Sequence, residues 1–163
     1  MKKLICVLMC VVFLCGCTEK GSVKAVSDGI SYRAHIFYFG KEYDCNVRIC
    51  DSRAEYTVKG GLLDGFKSIY SDDGVILQCE DKKSRLYTTL PEGCMTGTLF
   101  EMNSYLKGEY ETEKKDGEYI VKGYTSLGKF DLKLTKAGLP LSCYLNGEDF
   151  YVEFYDVSLI KEE

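Results

Sequence analysis

The 163-residue sequence predicts a mainly β domain, of the β-rich α+β class, preceded by an export signal. Three observations predict this class. Apolar and polar residues alternate with a period of two over most of the chain, which is typical of half-buried strands. Thirteen tyrosines and eight phenylalanines favour strands, and sixteen glycines favour many turns. One segment, near residues 96–106, has the apolar period of a helix.

The first seventeen residues have the layout of a secretory signal. Lys2 and Lys3 form a basic start, residues 4–14 are apolar and uncharged, and Cys17 follows a glycine. The apolar run is roughly half as long as the 20 residues or so that a transmembrane helix needs. Removal of residues 1–16 lowers the formal net charge from −4 to −6, because both lysines leave with the signal.

The end of this segment, Leu14-Cys15-Gly16-Cys17, resembles the lipobox of bacterial lipoproteins: an aliphatic residue, two small residues and a cysteine. The resemblance implies that Cys17 is acylated, becomes the mature N-terminus and anchors the chain to a membrane of the cell envelope, on its extracytoplasmic face. Residues 17–28 are then the lipidated cysteine and a polar tether, and residues 29–160 are the domain. A signal that is cleaved without lipidation is the alternative.

The start of the domain predicts three consecutive antiparallel strands. Alternation runs through residues 29–39, 43–49 and 53–59. A glycine-rich break at residues 60–66 predicts a loop or a short turn of helix. Strands at residues 74–80 and 84–89 are expected to follow.

The helix is predicted to begin near Thr96 and to end at Gly108. Thr98 and Glu101 have the spacing of a capping box. Its apolar stripe, with the spacing i, i+4, i+7 and i+11, consists of Met95, Leu99, Met102 and Leu106. The stripe predicts a helix packed on the sheet, and a membrane-binding or partner-binding face is the alternative.

The second half of the chain returns to strands. Residues 110–113 and 119–124 flank Asp116-Gly117, a pair that favours a hairpin turn. Three further strands are predicted at residues 130–134, 141–145 and 150–155. The total is about nine or ten short strands.

The order of these elements resembles that of small lipoproteins with a LolA/LolB-like fold. The resemblance rests on AEYTVKG followed by GGLLDGF, and on GKFDLKLTKAGLPLSCYL leading into EDFYVEFYDV. It implies an unclosed antiparallel half-barrel wrapped around one or two short helices. It also implies an apolar interior that holds acyl chains.

Nine inward-facing residues are expected to line this interior: Tyr32, Ile36, Tyr56, Val58, Leu77, Phe130, Leu132, Phe150 and Val152. Two functions remain open. In the first, the domain binds or chaperones an apolar ligand, which is a lipid or an acylated peptide. In the second, the domain is a surface-tethered structural or protein-interaction module with a filled core. Its expected partners are a membrane and either such a ligand or an envelope protein.

The sequence offers no motif for catalysis, for a metal or for a cofactor, and we expect a non-catalytic protein. The lone histidine, His35, lies on the polar side of a predicted strand, where a surface role is expected. Gly-x-Ser-x-Gly and phosphate-binding glycine loops are absent. Lysines alternate with acids, so a nucleic-acid partner is not expected.

Beyond Cys17, the mature chain has five cysteines, which is an odd number. Of these, Cys45, Cys79 and Cys143 are expected to face inward. The sequence leaves open which of the five form disulfide bonds.

Overall fold

The computed structural model describes residues 19–23, 29–50, 53–86, 94–106, 110–147 and 149–160. These residues form one antiparallel sheet of twelve strands, with one α-helix, α1 (Met95–Ser104), and a 3-10 turn at Gly61–Leu63. The strands are β1 (Glu19–Val23), β2 (Gly29–Tyr38), β3 (Lys41–Cys50), β4 (Arg53–Lys59), β5 (Lys67–Ser71), β6 (Gly74–Cys79), β7 (Lys82–Leu86), β8 (Tyr110–Lys115), β9 (Glu118–Thr125), β10 (Gly128–Leu134), β11 (Pro140–Leu145) and β12 (Phe150–Ile160).

The sheet is unclosed, as predicted. Its order is β1-β8-β9-β10-β11-β12-β2-β3-β4-β5-β6-β7, so β1 and β7 form the two edges. The last strand, β12, pairs with β2 over most of its length, for example Val152 with Ile36. This pairing joins the two halves of the chain into one continuous sheet.

Two of the twelve strands were not predicted. In β5, Ser68 is buried although it is polar, so an inward-facing serine hides the alternation of apolar residues. The five residues of β1 have no apolar alternation either, and they pair with β8, Glu19 opposite Lys114. Residues 19–23, which fall within the tether predicted for residues 17–28, thus form an edge strand of the sheet. Cys17 lies outside the described residues.

Helix α1 carries the predicted stripe but not the predicted cap. Leu99, Met102 and Leu106 are buried, and Met95 packs beside them in part. The helix begins one residue early and ends at Ser104, before the predicted stop at residue 108. The capping box was wrong because Thr98 already lies within the first turns, where its hydroxyl donates to the carbonyl of Cys94 at 3.2 Å.

The hairpin predicted at Asp116-Gly117 is confirmed. Both residues have positive φ, 53° and 83°, as a two-residue hairpin turn requires.

Of the cysteines expected to face inward, Cys45 and Cys143 are buried. Cys79 is exposed, because it ends β6 at the turn into edge strand β7, and the prediction was wrong there. The five described cysteines are free thiols.

Candidate functional site

The inner face of the sheet, defined as the face that packs against α1, carries the residues predicted to line an apolar interior. Seven of the nine belong to one buried core: Tyr32, Ile36, Tyr56, Phe130, Leu132, Phe150 and Val152. Val58 is fully buried as well, outside that cluster. Leu77 is half-buried and packs against the core, because β6 has only the exposed edge strand β7 beyond it.

These inward positions are filled by the protein's own side chains. The eight buried residues have relative exposures of 0–3 %, and Leu99 and Met102 of α1 lie in the same core. The arrangement matches the filled interior that small barrels commonly have. An apolar ligand at these positions would have to replace side chains of the protein, most directly those of α1.

The contact between α1 and the sheet is partly polar. Asn103 donates through Nδ2 to Tyr32 Oη at 2.6 Å and to Tyr56 Oη at 3.0 Å, and all three residues are buried. Burial raises the pKa of both tyrosine hydroxyls well above the ordinary value. Both therefore stay neutral and serve as hydrogen-bonding groups inside the core.

A second polar contact lies near the start of α1. Thr96 Oγ1 donates to Ser68 Oγ at 3.3 Å, and Tyr70 Oη bonds to Thr96 Oγ1 at 2.6 Å. The ring of Tyr70 stacks on Phe100 with a centroid distance of 4.9 Å. Burial is the main cause that raises the pKa of Tyr70. We call these two sets of hydrogen bonds, around Asn103 and around Thr96, the polar seam.

Sequence reasoning missed the polar seam, although a signal for it was present. Thr96 and Asn103 are seven residues apart, and therefore fall on one helix face. That face also carries Leu99 and Met102. Polar residues within an apolar stripe indicate hydrogen-bonding partners inside the core.

Close packing fixes the other end of α1. The ring of Tyr105, directly after the helix, meets Phe130 edge-on at 4.9 Å. Phe130 lies over Gly123 so closely that an added Cβ would stand 2.4 Å from its ring. Glycine at position 123 is what leaves room for this ring.

The outer face of the sheet, opposite α1, carries a charged cluster around His35. His35 Nδ1 lies 2.9 Å from Asp44 Oδ1, and Tyr155 donates to the same oxygen at 3.3 Å. The hydrogen bond from His35 is the largest cause that lowers the pKa of Asp44. Glu42 lies further off, with its Oε2 3.8 Å from His35 Nε2.

A groove of about 690 Å³ lies beside this cluster. It runs between the start of β3 and the glycine-rich loop after β4. Its lining consists of His35, Lys41, Glu42, Tyr43, Asp44, Lys59, Gly60, Gly61, Leu62 and Leu63. The groove thus combines both signs of charge with two exposed leucines.

Within the described residues, no three histidine, cysteine, aspartate or glutamate side chains come together as a metal site would require. No helix in this part of the chain is both long and apolar enough to cross a bilayer.

Comparison with known proteins gives a distant structural likeness. No protein-family model matches the chain, and no curated protein matches it. The crystal structure of a LolA superfamily protein from Nitrosomonas europaea is similar over 86 % of this chain and 90 % of that one, with a TM-score of 0.46 and 11 % sequence identity. So distant a likeness carries no argument about function.

Proposed function

We propose that the chain is a lipid-anchored protein of the cell envelope that binds an apolar ligand between α1 and the inner face of the sheet. The ligand class is a lipid or an acylated peptide, and the protein carries it without catalysis. In the ligand-free state α1 occupies the space that the ligand takes. The membrane anchor is the acylated Cys17, on the extracytoplasmic side.

The observation that carries this proposal is that α1 fully buries only two large apolar side chains, while Met95 and Phe100 pack against the core in part. Its buried residues are Thr96, Gly97, Thr98, Leu99, Met102 and Asn103. Leu99 and Met102 are the large apolar ones, and full burial of each is worth roughly 1.5–3 kcal/mol. An acyl chain contributes about 0.8 kcal/mol for each buried methylene, so a chain of several methylenes can replace both residues.

The polar seam supports the same proposal. Asn103 and Thr96 are polar and regain hydrogen bonds from water when the helix leaves the sheet. The hydroxyls of Tyr32 and Tyr56 would remain on the inner face, where they can bond to an ester or amide of an acylated ligand. A helix docked by apolar contacts alone would cost more to displace.

Ligand binding can be tested on the chain from residue 17 onward with Cys17→Ser, which contains every described strand. The purified protein is extracted with organic solvent for mass spectrometry, and is titrated with palmitate and with a short acylated peptide. Hydrogen exchange is followed in parallel. We expect a bound acyl compound and a change in exchange at residues 94–106, with the central strand β2 unchanged. An empty interior and unchanged exchange in α1 would refute the proposal.

The anchor is tested separately, by growth with an alkyne-labelled palmitate. We expect label on the wild-type chain and on Cys15→Ser, and none on Cys17→Ser. Cys15 is the matched control because it lies two residues earlier in the same segment. Equal labelling of the two variants would contradict a lipid on Cys17.

The second candidate is a tethered protein-interaction module with a filled core, and the low exposure of the inward residues favours it. On the outer face, Tyr144 is 50 % and Phe37 37 % exposed, and both flank Tyr151 in register. A photo-crosslinking residue at Tyr144 would then capture an envelope protein in cells. The same residue at Leu77, on the inner face, would capture none.

A further inference from the structure

Three aromatic residues interrupt the polar pattern of the outer face of the sheet. Phe37 on β2, Tyr151 on β12 and Tyr144 on β11 lie at positions where a sheet with one solvated face normally carries polar residues. Strand pairing places the three side by side, because Tyr151 is opposite both Tyr144 and Phe37. We call these three residues the aromatic row.

The rings of the aromatic row lie along the sheet and remain open to solvent. Tyr144 is 50 % exposed, Phe37 is 37 % exposed, and Tyr151 is half-buried. The hydroxyl of Tyr151 donates to Glu153 Oε1 at 3.1 Å, two residues further along the same strand. A side chain that reaches this neighbour leans along the strand. The ring of Tyr151 is tilted by 37° to that of Phe37 at a centroid distance of 6.0 Å, so the two form a platform and not a cage.

A carboxylate follows the aromatic row at each end. Asp131 on β10 is the residue opposite Tyr144, and Glu42 on β3 is the residue opposite Phe37. Glu153 adds a third carboxylate beside the middle of the row. Carboxylates accept hydrogen bonds from hydroxyl and amide groups. The platform is therefore edged by groups that suit a ligand rich in such donors.

Charge and shape together select the class of ligand. An anion would meet the three carboxylates, and electrostatic complementarity disfavours it. A stable protein interface buries about 800 Å² on each side, and three rings edged by carboxylates offer much less apolar area. A pyranose ring, by contrast, turns C–H groups toward the negative face of an aromatic ring and carries its hydroxyls at its rim. Two strand spacings, about 10 Å, separate Phe37 from Tyr144, which is roughly the length of two sugar units in an extended glycan.

We infer that the aromatic row binds an extended, neutral β-1,4-linked glycan of N-acetylhexosamines, which lies across the strands. Its sugar rings and acetamido methyl groups stack on the three aromatic rings. Its hydroxyl and acetamido N–H groups donate to Asp131, Glu42 and Glu153. This contact lies on the face opposite α1, so it does not depend on the ligand proposed above.

The test is isothermal titration calorimetry with the chain from residue 17 onward carrying Cys17→Ser. The probe is tetra-N-acetylchitotetraose, and the comparison sugar is maltotetraose, whose α-linkages curve the chain. We expect saturable binding of the first sugar only. This binding should persist in about 0.5 M salt, where exposed charges more than a few ångströms apart are screened, because the ligand is neutral.

Two matched variants locate the site. Tyr144→Ala should raise the Kd about tenfold, as the loss of one stacking ring does on aromatic platforms that bind bases. Tyr124→Ala should leave the Kd unchanged. Tyr124 is the control because it is 65 % exposed on the same face, but lies on β9, where Lys129 Nζ is 5.7 Å from the centre of its ring.

Four results would overturn the inference. They are no saturable binding of tetra-N-acetylchitotetraose, equal binding of maltotetraose, binding that disappears in salt, and equal losses in Tyr144→Ala and Tyr124→Ala. A protein captured at Tyr144, without glycan binding, would overturn it as well and would favour the protein-interaction module.

Phe37→Leu separates a binding role from a packing role, because cross-strand aromatic pairs also stabilise sheets. Leucine keeps an apolar side chain on β2 but removes the ring. We expect a nearly unchanged melting temperature and a weaker affinity for tetra-N-acetylchitotetraose. A lower melting temperature with unchanged affinity would show that Phe37 serves the sheet, and would also overturn the inference.

Discussion

The side chain of Asn103 on α1 donates a hydrogen bond of 2.6 Å to Tyr32 Oη on β2, and both residues are buried. The same amide nitrogen reaches Tyr56 Oη on β4 at 3.0 Å. One side chain thus fastens the helix to two strands at once. Its removal leaves two buried hydroxyls without this partner.

Asn103→Ala should lower the free energy of unfolding by about 1–3 kcal/mol, because buried polar groups are costly when they lose their partners. Urea unfolding followed by circular dichroism measures the change. In a chain that already carries Tyr32→Phe and Tyr56→Phe, the same substitution should cost clearly less. Equal costs in the two backgrounds would show that the hydrogen bonds contribute nothing to the loss.

Gly123→Ala should destabilise the domain by about 1–3 kcal/mol, because the added methyl group would overlap the ring of Phe130. Thermal and urea unfolding measure this loss. Phe130→Leu frees part of the space, so the double variant should lose less than the two single losses together. Additive losses would indicate that the Phe130 ring is not what excludes a side chain at position 123.

The His35–Asp44 pair should make stability fall in acid. Because folding lowers the pKa of Asp44, its carboxylate contributes stability that is fully present above the unfolded pKa of about 3.9. This contribution is lost as the pH falls through the folded value. His35→Gln should move the pKa of Asp44 upward, as a carbon-13 NMR titration of the carboxyl group would show. An unchanged titration would mean that His35 does not hold the pKa down.

The five described thiols should differ in reactivity by position. Cys79 is exposed and should react first with a thiol reagent at pH 8, followed by the half-buried Cys50 and Cys94. Burial raises the pKa of Cys45 to about 12 and that of Cys143 as well, so neither forms a thiolate in the native state. Mass spectrometry of labelled peptides should find these two modified only after denaturation. Early labelling of Cys143 would mean that its strand opens readily.

Much of the fold follows from local patterns. Alternation located β2, β3 and β4, and the hairpin pair Asp116-Gly117 located the turn between β8 and β9, because both signals lie within a few neighbouring residues. The edge strand β1 and the short strand β5 were missed. Their pairing partners, and not their own residues, make them strands.

The candidate site, like the fold, could be predicted only in part from the sequence. The sequence by itself determined most of the residues that face inward, since the side of a strand follows from its period: Tyr32, Ile36, Phe130 and Val152 are buried. It also determined the lipobox-like segment that ends at Cys17. Only the tertiary structure decided what fills the interior. The hydrogen bonds from Asn103 to Tyr32 and Tyr56 join residues 71 and 47 positions apart, and no local pattern encodes such contacts.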